Sequence, residues 1–106
     1  MVASEQARQL ALDLPEAVER DHHGRPSFRI GEKIFATLRD EHTMNVMLDE
    51  DGILTAVQSD PETCAEVWWG KRLAAVRVDL RRADAEFLAS LLADAWERRA
   101  PKRLLQ

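Results

Sequence analysis

The sequence predicts an α+β fold: a two-layer sandwich in which a five-stranded antiparallel sheet carries helices on one face, in the order α-β-β-β-α-β-β-α. Three observations predict it. Met44, Val46 and Leu48, and again Val76, Val78 and Leu80, alternate with other residues as half-buried strands do. Gly31-Glu32 and Gly70-Lys71 lie between apolar runs, where tight hairpin turns belong. Phe87, Leu88, Leu91, Leu92, Ala95 and Trp96 recur at the spacing of one helix face. Strands joined by tight turns pair antiparallel, and amphipathic helices then cover one side of the sheet.

Taken in order, Ser4 is placed to cap a helix running to about Leu12, with Ala7, Leu10, Ala11 and Leu14 on one side. Pro15 ends it, because proline disfavours helix at the residue before it. Residues 27–30 and 33–39 read as a hairpin, with Phe28 and Ile30 on one side of the first strand. Residues 44–48 form a third strand. Asp49, Glu50 and Asp51 put acids where a helix start favours them. Ile53, Leu54 and Val57 carry that helix to about Ser59, and Asp60-Pro61 breaks it. Residues 63–69 and 73–80 make a second hairpin. Asp84 caps the last helix, and Pro101 lies just past its end.

The 106 residues make one domain, 1–106, with 45% hydrophobic and 32% charged residues, which argues against disorder. Tyrosine is absent. Cys64 is the only cysteine, so no disulfide forms within the chain, and small secreted domains often carry several. The first residues lack a signal-peptide pattern, and no apolar run approaches the roughly 20 residues of a membrane span. A cytoplasmic location without membrane contact is the expectation.

Charge is unevenly spread. The net value is −4, but residues 40–67 hold eight acids and no base. The bases gather in 22–39, 68–82 and 98–106, each of which can form a local patch on an otherwise acidic protein. The competing reading is ordinary solvated surface.

Three phrases resemble the MmcQ/YjbR family. They are Gly24-Arg25-Pro26-Ser27-Phe28-Arg29-Ile30-Gly31-Glu32-Lys33-Ile34-Phe35-Ala36, the stretch from Trp69 to Leu80, and Asp94-Ala95-Trp96-Glu97-Arg98-Arg99-Ala100-Pro101-Lys102-Arg103-Leu104. Leu14-Pro15 also fits. The resemblance implies a CyaY-like, secretion-chaperone-like α/β fold. It also implies DNA binding, with the two hairpins likened to a double wing.

The residues themselves suggest how such binding would work. If Phe28, Ile30, Ile34, Ala36, Leu38, Val67, Trp69, Val76 and Val78 face the helices, alternation puts Arg29, Lys33, Phe35, Arg39, Trp68 and Arg77 on the open face. Lys71 and Arg72 sit at the second turn, and Arg25 precedes the first strand. The candidate nucleic-acid-binding residues are therefore Arg25, Arg29, Lys33, Trp68, Lys71, Arg72 and Arg77: cations for phosphates and a ring for bases. The alternative is a protein-interaction module, a homodimer through a sheet face displaying Phe35 and Trp68.

Arg98, Arg99, Lys102 and Arg103 complement the dipole of the last helix, with phosphate contact as an optional addition. His22-His23, with His42 distant, read as surface histidines in a loop before the first strand. They lack metal-ligand spacing, and the acids around Asp49 lack an EF-hand pattern. No nucleophile motif, P-loop or dinucleotide fingerprint occurs, so neither catalysis nor a cofactor is expected.

Overall fold

In the computed structural model, which describes residues 1–105, the elements are α1 (Ser4–Leu12), β1 (Val18–His22), β2 (Arg25–Ile30), β3 (Lys33–Asp40), β4 (Thr43–Val46), α2 (Glu50–Ser59), β5 (Cys64–Trp69), β6 (Arg72–Asp79) and α3 (Ala85–Arg99), then a short 3-10 turn, Lys102–Leu104. The sheet has six strands, not the expected five, in the order β1-β2-β3-β4-β6-β5, and every neighbouring pair is antiparallel. The additional strand, β1, is an edge. Its Val-Glu-Arg-Asp-His sequence is mostly exposed and gives no apolar alternation to read. It reverses into β2 through His23-Gly24, whose φ angles of 54° and 81° suit a type I′ hairpin. His22 therefore belongs to a strand, and only His23 to a turn. Gly31-Glu32 is also positive in φ at both residues, so that turn too is of the I′ kind.

The helix ends follow the capping rules where side chains reach. Asp49 Oδ1 accepts the Gly52 N–H at 2.7 Å, and Asp84 Oδ1 accepts the Phe87 N–H at 2.7 Å. Ser4 is not a cap: the N-cap of α1 is Ala3, without a side-chain bond.

All three helices cover the same side of the sheet. The main core joins Ala7 and Ala11 of α1, Ile53 and Ala56 of α2, and Leu88, Leu91, Leu92 and Ala95 of α3 to Phe28, Ile30, Met44, Val46, Val76 and Val78. A second, small cluster lies on the other side: Met47, Val67 and Ala75, with Ile34 against them.

Register shifts interrupt the ladders at Phe28/Arg29, Leu38/Asp40 and Val67/Trp68, and the first and last of these decide which apolar side chains go where. Phe28 pairs with Ala36, but Arg29 pairs with Ile34, so Phe35 is an extra residue in β3. Phe35 and Ala36 therefore both enter the core, at 0% exposure, while Ile34 joins the outer cluster. The expectation of an exposed Phe35 and a core-facing Ile34 is overturned by that one residue. Likewise Val67 pairs with Ala75 and Trp68 with Leu73, leaving Ala74 unpaired in β6. Val67 finds its apolar partners on the outer side, which places Trp69 there too. Trp68, opposite the core residue Leu73, is on the helix side of the sheet edge. The expected faces of the two tryptophans are thus exchanged.

Candidate functional site

β4 ends at Val46, whereas β3 begins at Lys33 and β6 at Arg72, beyond the last β4 pairings with Ala36 and Val76. The chain turns away there through Met47, whose N–H still reaches the Phe35 carbonyl at 3.0 Å, and enters α2. The end of α3 comes up to this place: Arg98 Nη1 donates to the Met47 carbonyl oxygen at 3.4 Å.

A groove of about 1060 Å³ crosses the outer side. It runs along β2, whose six residues span roughly 20 Å. Its lining includes His22, His23 and Arg25 at one turn, and Glu32, Lys33 and Ile34 at the next. Trp69, Arg72, Leu73 and Ala74 come from the β5–β6 hairpin, Asp49 and Glu50 from the start of α2, and Arg98 and Arg99 from the end of α3. Arg29, Thr37, Arg39, Asn45 and Met47 lie between.

Few of the cations in this groove have a carboxylate partner. Outside it, Arg8, Arg81, Arg82 and Arg103 each pair with a carboxylate within 4.0 Å, whereas Arg20, Lys71, Arg77 and Lys102 form no ion pair among the described residues. Of the seven that line it, only Arg39 is paired, to Asp40 at 3.2 Å. Arg25, Arg29, Lys33, Arg72, Arg98 and Arg99 have no ion pair among the described residues. Arg29 is held by Ser27, whose hydroxyl accepts its Nε at 3.1 Å and donates to the Arg20 carbonyl at 2.9 Å. Arg72 lies over the Trp69 ring, 5.2 Å from its centre. Trp69 is 51% exposed.

Four of the seven residues expected at the site, Arg25, Arg29, Lys33 and Arg72, come together in this groove. Lys71 sits exposed in the β5–β6 turn. Arg77 is on the outer side but donates to Asn45 Oδ1 at 3.4 Å and stays out of the lining. Trp68 does not belong to it: 53% exposed, it donates from Nε1 to Glu66 Oε1 at 2.9 Å on the other side of β5. Alternation turns Trp69 toward the helices, and His22 and His23 read as loop histidines outside the site. Their place at a helix end gives Arg98 and Arg99 a dipole role, with phosphate contact as an option. The turn glycine Gly24 was the available signal for the histidines. Nothing local placed the end of α3 at the groove.

The basic tail divides. Arg103 forks onto Glu16 at 2.8 and 2.9 Å, which holds the Glu16 carboxyl below its ordinary range. Trp96 Nε1 donates to the Pro15 carbonyl at 2.9 Å. Both contacts fasten the C-terminal segment to the α1–β1 connection. Cys64 is buried in the main core, and desolvation pushes its thiol up to about 11, so it is a protonated packing residue at neutral pH. No group of three or more His, Cys, Asp or Glu side chains converges among the described residues. No helix of those residues is long and apolar enough to cross a membrane.

Fold and groove together define a class: a two-layer α+β domain whose open sheet side is a basic trough. The chain belongs to the YjbR family, whose model matches residues 12–98 and so takes in all six strands, α2 and nearly all of α3. No curated protein and no solved structure matches the chain.

Proposed function

We propose that this protein is a non-enzymatic module that binds a short run of single-stranded nucleic acid along the outer groove. The observation that carries this reading is the row of six cations without carboxylate partners beside a half-exposed tryptophan. Cations already paired inside a protein gain little from a phosphate. Unpaired ones release counterions when a phosphate arrives, and an adjacent ring adds stacking that tolerates any base. The volume is near the upper end for sites that enclose small ligands, which suits a few nucleotides better than the side of a duplex. The homodimer alternative drew on Phe35 and Trp68 together. One is in the core and the other is across the sheet from the groove, so strand binding is the better supported reading.

The test is a fluorescence-anisotropy titration of labelled single-stranded and duplex oligonucleotides against salt. Contact with about four phosphates gives a log–log slope near −3 on single strands. Trp69→Ala lowers affinity by about 1–3 kcal/mol, whereas Trp68→Ala leaves it nearly unchanged. Absence of binding at low salt, or equal effects of the two tryptophans, refutes the reading.

A further inference from the structure

We propose that the end of the groove where Arg72, Arg98 and Arg99 meet is a site for the phosphate monoester of a nucleotide, free or at the end of a strand. The inference rests on the strand-binding reading and adds a direction to it.

The three guanidiniums come from separate parts of the chain: Arg72 opens β6, while Arg98 and Arg99 close α3. All three line the same groove and none has a carboxylate within 4.0 Å among the described residues. The charges of Arg98 and Arg72 bear directly on Arg99. Arg99 Nε is buried with no hydrogen-bond partner. A buried donor on a charged group is rarely left unmet, so such a position invites an acceptor. The nearby acids do not supply one. Asp49 is engaged in capping α2, and Glu50 forms no ion pair. Arg98 is anchored through one nitrogen to the Met47 carbonyl, which leaves its other donors free to orient.

The chemistry selects among phosphates. A diester within a strand carries one charge. A monoester carries about −1.5 to −2 near neutral pH and offers three strong acceptor oxygens. Three forked, permanently charged donors match the second better than the first. The more widely spread Arg25, Arg29 and Lys33 suit single diester charges. Arg72 also lies on the Trp69 ring, so the stacking surface adjoins the cluster and a terminal base can rest there while its phosphate reaches the arginines.

The experiment uses the full chain and one hexanucleotide sequence bearing a 5′-phosphate, a 3′-phosphate or only hydroxyl ends, labelled at the opposite end. Calorimetry with adenosine monophosphate and with inorganic phosphate runs beside it. One phosphorylated form is expected to bind about tenfold or more tightly than the hydroxyl form. Arg99→Gln abolishes that preference and Arg99→Lys keeps part of it, while Arg25→Gln weakens all strands alike. Circular dichroism melts confirm that each variant is folded. Equal affinity for phosphorylated and hydroxyl strands overturns the proposal and leaves strand binding intact. Arg99-dependent binding of the mononucleotide with no binding of any strand supports the phosphate site and overturns the strand reading. If neither strand end nor mononucleotide shows Arg99-dependent binding, the proposal falls.

Discussion

Replacing Arg99 with methionine is expected to make the unliganded protein more stable. Arg99 keeps a buried, unpartnered Nε and two arginine neighbours whose charges oppose its own. Relieving an unmet buried donor is worth about 1–3 kcal/mol. Against this stands the loss of a favourable cation at the end of α3, about 0.3–1 kcal/mol. Methionine retains an apolar stem of similar reach, so the packing loss is small. The balance is a gain of about 1–2 kcal/mol, which for a domain of this size raises Tm by roughly 4–8 °C for each kcal/mol. Urea and thermal melts at about 0.02 M and about 0.5 M salt measure it, and the difference from wild type shrinks at the higher salt because repulsion is screened. Inorganic phosphate stabilises the wild type by about 2.7 kcal/mol at a hundred times its Kd but not the variant. A variant less stable than wild type at low salt would show that Arg99 is held by favourable contacts and refute the reasoning.

Two further outcomes are expected. Phe35→Ala lowers stability by about 3–5 kcal/mol in urea unfolding, since the ring is wholly buried; a loss below about 1 kcal/mol places the ring at the surface instead. The thiol of Cys64 stays protonated in the folded chain up to about pH 11, whereas an unfolded thiol ionises near 9.0. Its contribution to stability is therefore full below pH 9 and is lost as pH rises from there through the folded value. The loss amounts to about 2–3 kcal/mol, and melts of wild type and Cys64→Ala across pH 8–11 should converge accordingly.

Much of this fold is legible in the residues because local chemistry and tertiary contacts agree. The stripe from Leu88 to Ala95, the Asp84 cap, the acids that open α2 and the Gly31 and Gly70 turns each state a local preference that the packing keeps. β1 escapes notice because an edge strand that buries little needs no apolar alternation. The faces of β3 are misread because period-two reasoning assumes an unbroken ladder, and Phe35 interrupts it. Val67 misleads for another reason: an apolar side chain does not say which of two apolar clusters it joins. Arg29 and Lys33 are foreseeable from strand alternation, and Arg25 and Arg72 from their places beside the turns. Arg98 and Arg99 reach the groove only because β4 stops short of its neighbours, a fact of three-dimensional assembly with no local sign.

The unpaired Phe35 and Ala74 sit in β3 and β6, the two strands that flank the short β4. A bulge bends its strand and sharpens the local twist. The curvature of the trough is accordingly governed from positions at or beside the apolar interior rather than by the exposed turns. Exchanging residues at the hairpin tips alters what is displayed to a ligand; deleting either extra residue would flatten the surface and change its span. Recognition by this domain can be retuned by its chemistry or by its shape, and the two adjustments lie at different positions in the chain.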